Sequence, residues 1–151
     1  MKRTIMAIGL MLATAVSAAD AKAQETVSPP AVSPSATKLQ ETITPLFKGD
    51  LPNVPGKALL AVEVSFPPDT ASPPHRHPAS AFIYAYVLSG EVISAVGGEK
   101  PRLYRPGESW HEDPGAHHTV TRNASKEKPA RLLVIFVVDP TERQLVIPDR
   151  Q

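Results

Sequence analysis

Two histidines separated by one residue lie in a proline-rich segment, Pro73-Pro74-His75-Arg76-His77-Pro78. In an extended chain, residues i and i+2 point to the same side, so His75 and His77 can direct two imidazoles at one metal ion. The flanking prolines stiffen the segment, because each fixes its φ at about −65° and favours an extended conformation in the residue before it. The alternative is a His-x-His sequence in a solvent-exposed loop. The chain holds five histidines, all within residues 75–118: His75, His77, His111, His117 and His118.

The elements that must position these histidines are short strands. Segment 131–138 is the most apolar run and is predicted to be an interior strand. No stretch shows helical periodicity over ten residues, and the 14 prolines between Pro45 and Pro148 disfavour long helices. Short strands separated by turn residues predict an all-β sandwich or barrel. Strands are expected at 58–66, 82–88, 91–96, 102–104, 109–112, 117–122 and 131–138.

The N-terminal part of the sequence is expected to lie outside the folded domain. Residues 1–23 have the pattern of a secretory signal peptide, with Lys2 and Arg3 before an uncharged apolar run and a small-x-small cleavage site at Ala21-Lys22-Ala23. Residues 24–45 are rich in Pro, Ser, Thr and Ala and predict a flexible, disordered arm. The folded domain is expected over residues 46–148. We therefore expect an exported protein, periplasmic or secreted by a bacterium, with no membrane association after cleavage.

Composition excludes some classes of function. Removal of residues 1–23 changes the formal net charge from +1 to −1, which does not favour nucleic acid or an anionic membrane surface as a partner. The chain has no cysteine, so no disulfide stabilises it and no thiolate binds a metal.

At these motifs the chain resembles the cupin superfamily, whose members are small jelly-roll β-barrels with a metal in the mouth. The first cupin motif, G-x5-H-x-H-x(3,4)-E-x6-G, is matched by His75-x-His77 and Gly90. The second, G-x5-P-x-G-x2-H-x3-N, is matched by Gly107, Pro114-Gly115 and His118, with Asn123 one residue beyond its place. The resemblance covers about residues 57–139 and implies a single cupin-like jelly roll.

The resemblance implies that His75, His77 and His118 bind one divalent transition metal, which is Fe, Mn, Ni, Cu or Zn. The family's fourth ligand, a motif-one glutamate, is absent. Counting back from Gly90 its position is Ile83, and counting forward from His77 it is Ala81 or Phe82. Some cupin dioxygenases use three histidines, so the resemblance still allows catalysis. Without the carboxylate, the site's net charge is one unit higher, which favours an anionic substrate.

Two carboxylates are candidates to replace the missing group, or to act as a general base. Glu63 lies in the middle of an apolar strand segment, and Glu112 shares a strand face with Trp110 near the second motif. Each has an alternative as an outward-facing strand residue. By strand alternation, we expect His118 to face inward and His117 outward, and we expect His111 at the surface.

The sequence thus favours an exported metal-binding cupin that acts on a small organic molecule, with oxygenase-type chemistry on an enol, phenol or diketone. Isomerase chemistry is the other enzymatic possibility. The alternative is a non-enzymatic periplasmic barrel that binds a small ligand or a metal. The resemblance also implies a homodimer, because cupin barrels commonly pair through edge strands and N-terminal arms, and an open strand edge needs covering.

Overall fold

The computed structural model describes residues 40–150. The predicted signal peptide (1–23) and most of the predicted arm (24–39) lie outside these residues. Within the described part the protein is built from strands without helices, and so contains no helix that is long and apolar enough to cross a membrane. The strands are β1 (Thr42–Asp50), β2 (Ala58–Phe66), β3 (Ala71–Ser72), β4 (His75–Arg76), β5 (Phe82–Ser89), β6 (Val92–Val96), β7 (Arg102–Tyr104), β8 (Ser109–Glu112), β9 (His117–Asn123), β10 (Ala130–Val138) and β11 (Ile147–Pro148).

The strands form two antiparallel sheets. One has the order β1-β2-β10-β5-β8, and the other has the order β11-β4-β9-β6-β7 with β3 also paired to β9. Apart from the β1–β2 and β6–β7 pairs, neighbouring strands in each sheet are far apart in sequence, as in a jelly roll. The inner sheet faces enclose one hydrophobic core that includes Phe66, Ile83, Val87 and Val92. The all-β jelly-roll class predicted from the sequence is confirmed.

Strand β10 is the centre of the first sheet. It pairs with β2 on one side and with β5 on the other, so that Val134 lies opposite both Val62 and Ala85. Leu132, Val134 and Phe136 are buried, while the residues between them are only partly buried. The apolar run in the sequence reflects this position, because β10 pairs along both of its edges and packs its inner face on the core.

The first strand begins four residues before the predicted domain start of 46, at Thr42. Pro45 lies within this strand, and the register shifts between Pro45 and Phe47. An edge strand and a bulge both tolerate proline, because neither needs the missing N–H for a ladder hydrogen bond. Composition places residues 42–45 with the arm, whereas pairing with β2 makes them part of the sheet.

Two residues of the predicted motifs have structural roles. Gly90 closes the β5–β6 turn at φ 71°, where a Cβ would lie 2.5 Å from the Pro129 carbonyl oxygen. The buried Asn123 side chain joins three chain segments at the end of β9, since its Nδ2 donates to the carbonyls of Phe66, Pro67 and Lys128. These contacts hold the end of β2 and the segment before β10 against β9.

Candidate metal centre

The structure brings three histidines together inside the barrel. His75 lies on β4 directly opposite His118 on β9, and His77 follows β4 by one residue. Their exposed fractions are 8% for His75, 6% for His77 and 5% for His118. Each offers a ring nitrogen, and these nitrogens lie within 4.8 Å of one another. Three imidazoles converging in a buried space can bind one metal ion.

The neighbouring histidines have other environments. His117 is partly buried, and its Nε2 lies 2.8 Å from Asp149 Oδ2 near the chain's end. His111 is exposed and stacks on Phe82, with 5.8 Å between ring centroids. Neither belongs to the three-histidine cluster in the described residues.

Backbone carbonyls orient the two motif-one histidines. His75 Nδ1 lies 2.8 Å from the Pro73 carbonyl oxygen, and His77 Nδ1 lies 2.6 Å from the Leu145 carbonyl oxygen. A carbonyl only accepts, so these contacts place the proton on Nδ1 and leave the Nε2 lone pair of each ring free. Burial lowers the pKa of His75 and outweighs the Pro73 carbonyl, which raises it. The His75 ring is therefore neutral at neutral pH, the form that binds metals.

Hydroxyl groups hold the third ring. Ser94 Oγ lies 2.9 Å and Thr121 Oγ1 lies 2.6 Å from His118 Nε2. Thr121 reaches the ring because the β6–β9 register shifts between Ala95 and Val96, which leaves Thr119 as an extra residue on β9. His118 and Thr121 therefore face the same side although they are three residues apart. Sequence reasoning missed both hydroxyl residues, since strand alternation alone predicts that Thr121 faces outward.

Glu112 is the carboxylate next to this cluster. It is 2% exposed, and its oxygens lie 3.2 Å from His77 Nε2 and 3.2 Å from His118 Nδ1. Trp110 Nε1 donates to Oε1 over 3.1 Å, whereas Oε2 has no hydrogen-bond donor among the residues that the structure describes, although the His77 nitrogen is near. Burial raises the pKa of Glu112, but the contacts with His118 and His77 outweigh burial and hold this pKa well below its usual value. The group is therefore a carboxylate at neutral pH.

Glu63 occupies a different place. It is on β2 between Val62 and Val64, whose side chains line the interior cavity, and it points away from that cavity. Its carboxylate lies 3.3 Å from Arg131 Nη1 on the outer face of the sheet. Glu63 therefore has no contact with the three histidines. Its charge interrupts the apolar strand because it forms an ion pair on the outer face of the sheet.

A cavity of about 270 Å³ opens beside the histidines. Its walls come from both sheets and from the C-terminal segment, and they are mainly aliphatic and aromatic. Apart from the histidines, the charged residues that line it are Glu41 and Glu112, with no lysine or arginine among the described residues. The apolar walls include Val62, Val64, Phe66, Ile83, Val134 and Phe136.

The donor set is compatible with a divalent transition metal. Neutral imidazoles and a carboxylate suit such ions, with ligand bonds of about 2.1 Å. Two ligands at that distance lie about 3.0 Å apart at right angles and about 3.4 Å apart in a tetrahedron. The 3.2 Å separations between Glu112 and two histidine nitrogens fall within this range, and Glu112 Oε2 is an anionic oxygen without a hydrogen-bond partner in the described part of the chain.

Comparison with known proteins agrees with this architecture. The cupin domain model matches residues 62–136. The protein TT1209 from Thermus thermophilus is 32% identical, with a TM-score of 0.54 over 67% of this chain and 86% of its own. An RmlC-like cupin family protein from Methanocaldococcus jannaschii has the same double-stranded β-helix fold, with 12% identity and a TM-score of 0.52 over 66% of this chain and 82% of its own. The chain belongs to the cupin superfamily.

An enzyme is also among the similar structures. An oxalate oxidase, in complex with the substrate analogue glycolate, is 26% identical with a TM-score of 0.54, over 68% of this chain and 53% of its own. No curated protein sequence matches this chain. The comparisons thus give the family and the fold, and the activity must be inferred from the cavity.

Proposed function

We propose that this protein is an exported metal-dependent cupin that acts on a small organic molecule with dioxygen as co-substrate. The main observation in support of this proposal is that His75, His77 and His118 are buried together at the wall of an apolar cavity. A bound Fe, Mn, Ni, Cu or Zn ion would stabilise an anionic oxygen of the substrate and, if redox-active, exchange electrons with dioxygen. The three rings would hold the ion, and the cavity walls would orient the substrate.

The cavity favours catalysis over metal transport or storage. A metal carrier needs ligands near the surface, because it must release its ion readily. These three imidazoles are instead buried, each being less than one-tenth exposed. The adjacent volume of about 270 Å³ suits a molecule smaller than a typical drug. A buried set of metal-binding side chains beside an organic-sized space is the arrangement expected of an enzyme.

The cavity walls restrict the substrate's chemistry. Among the described residues no lysine or arginine lines the cavity, so a substrate with several negative charges would lack partners away from the metal. A two-carbon acid would also leave the apolar walls unused. An enolate, phenolate or diketonate combines one anionic group with an apolar body, and it matches both features.

The first test is the metal content of the mature, untagged protein, compared with that of His118→Ala. We expect about one equivalent of a transition metal in the wild type and loss of it in the variant. Oxygen uptake is then measured with acetylacetone, catechol and an aliphatic enediol, using Glu63→Gln as a control. Absence of metal after reconstitution at neutral pH would contradict the enzyme and leave a ligand-binding barrel. Zinc without oxygen uptake would direct the assays to isomerase chemistry.

Export is a separate part of the proposal and rests on residues 1–23. Expression of the full chain in a Gram-negative host should give a periplasmic protein whose intact mass begins at Gln24. A protein that retains Met1 in the cytoplasmic fraction would contradict export.

We also propose a homodimer, because the β5 part of the first sheet's outer face is apolar and β1 is an edge strand of that sheet within residues 40–150. On β5, Phe82, Tyr84 and Leu88 are 41%, 39% and 37% exposed. A second copy of this chain would cover this face. Light scattering after size-exclusion chromatography should give twice the chain mass, and Leu88→Glu should give a monomer. A monomeric wild type at micromolar concentration would overturn this assignment.

A further inference from the structure

We infer that Glu112 supplies the metal-binding carboxylate that the first motif lacks, from a different strand of the same sheet. The inference rests on the proposed metal site and assigns it a fourth protein ligand. It replaces the set of three histidines expected from the motifs with three histidines and one carboxylate.

The pairing register of β5 and β8 is the main support for this inference. Counted back from Gly90, the motif-one glutamate position is Ile83 on β5. Ile83 lies directly opposite Glu112 on β8. Residues directly opposite on antiparallel strands project to the same face, with Cβ atoms about 5 Å apart. Ile83 and Glu112 are both buried, at 1% and 2% exposure, and both line the cavity. A side chain at 112 therefore reaches the same part of the interior as a side chain at 83.

The surroundings of Glu112 support a ligand role. A buried carboxylate is costly unless its oxygens are paired. Trp110 satisfies Oε1 over 3.1 Å, but Oε2 has no hydrogen-bond partner among residues 40–150 and lies 3.2 Å from His77 Nε2. A cation between the carboxylate and the imidazoles would satisfy Oε2. The Trp110 contact would meanwhile fix the rotation of the carboxylate, as partners of metal ligands commonly do.

Glu63 is the matched alternative, because it is the other carboxylate that the sequence offered as a replacement for the missing ligand. Its partner is Arg131 on the outer sheet face, at 3.3 Å. The same substitution at the two positions therefore compares an interior carboxylate with an outer one, with no change in size or type.

The chemical consequence is a change in the site's charge. With Glu112 bound, a divalent ion and its protein ligands carry one net positive charge instead of two. A singly charged enolate or phenolate then gives a neutral complex in the apolar cavity, which lowers the cost of burying the ions. The fourth ligand also leaves fewer open positions for substrate and dioxygen.

The test is metal affinity measured by competition with a chelator, using Mn(II) and Cu(II) on wild type, Glu112→Gln and Glu63→Gln. We expect Glu112→Gln to weaken binding by at least roughly tenfold, since loss even of a ligand's supporting partner costs about 10- to 100-fold. Glu63→Gln should leave the affinity unchanged. The Cu(II) EPR spectrum should also change in Glu112→Gln, because one oxygen donor is altered while the histidine nitrogens remain.

A strand swap tests the placement directly. The double variant Ile83→Glu/Glu112→Ile moves the carboxylate to the motif-one position and should regain most of the affinity lost in Glu112→Gln. Circular dichroism and thermal melting verify that each variant is folded. Equal affinity and EPR spectra in wild type and Glu112→Gln would overturn this inference while leaving the three-histidine site intact. No metal binding by the wild type would instead overturn the proposed function itself.

Discussion

His77 Nδ1 lies 2.6 Å from the backbone carbonyl oxygen of Leu145, a residue 68 positions later in the chain. The contact ties the C-terminal segment to the histidine cluster and leaves His77 Nε2 facing Glu112. The segment is held a second time by His117 and Asp149, which lie 2.8 Å apart. Leu145, Val146 and Pro148 also line the cavity. The end of the chain therefore orients a candidate ligand and forms part of the cavity wall.

Removal of residues 145–151 should weaken metal binding by roughly 10- to 100-fold, the usual effect of losing a ligand's hydrogen-bond partner. The His77 ring loses the carbonyl that fixes its tautomer and rotation. Isothermal titration with Zn(II) measures the change. Asp149→Asn is the control, because it loosens the segment's second contact without removing the carbonyl, and it should have a smaller effect. Equal affinity in the truncated and full-length proteins would show that the Leu145 carbonyl does not support the site.

Thr121→Val should weaken metal binding by roughly tenfold or more, because it removes the hydroxyl 2.6 Å from His118 Nε2 while preserving the side chain's shape. Thr119→Val is the matched control on the same strand, since Thr119 donates to the Ala95 carbonyl and not to a histidine. Chelator competition compares the two. A loss of affinity of the same size in both variants would point to general loosening of β9.

Gly90→Ala should lower the free energy of unfolding by about 2 to 5 kcal/mol, from backbone strain at positive φ together with a steric clash. The new Cβ would lie 2.5 Å from the Pro129 carbonyl oxygen. Gly97→Ala is the control, because it has φ 61° but open space around the added Cβ, and it should cost only about 1 to 2 kcal/mol. Urea denaturation measures both. Equal losses would mean that the β5–β6 turn adjusts to the added methyl group.

Asn123→Asp should lower the free energy of unfolding by about 1 to 3 kcal/mol, because a carboxylate cannot donate to the three carbonyls that Nδ2 contacts. Ser125→Ala should cost about 1 kcal/mol or less, since its hydroxyl accepts from two exposed loop amides. Thermal unfolding at neutral pH ranks the variants. A stable Asn123→Asp protein would show that the three segments do not depend on this side chain.

Local sequence patterns determined the fold class of this protein and the position of its candidate metal site. Alternating apolar residues and turn residues predicted the strands and the all-β class, and two histidine motifs predicted the cupin fold; both predictions are confirmed. The spacing of His75 and His77 also indicated where a metal site should be sought. These features depend on residues close together in the chain, where strand periodicity and proline stiffness act directly.

Which carboxylate lies next to the histidines was decided by the tertiary structure. From the sequence, Glu63 and Glu112 were equal candidates, because Glu63 interrupts an apolar segment and Glu112 shares a strand face with Trp110 near the second motif. Only the strand faces and the β5–β8 register place Glu112 opposite Ile83 and Glu63 beside Arg131. A register shift of one residue would exchange the inner and outer faces of a strand, and no local pattern near residue 112 fixes its partner on β5.

The contacts that orient the His77 and His118 rings also could not be predicted from the sequence. Thr121 reaches His118 because one extra residue on β9 changes the alternation, and Leu145 reaches His77 because the chain returns across the barrel. The sequence by itself determined which side chains are able to bind a metal. Tertiary structure decided which of them meet, because pairing between distant strands depends on the packing of the whole barrel.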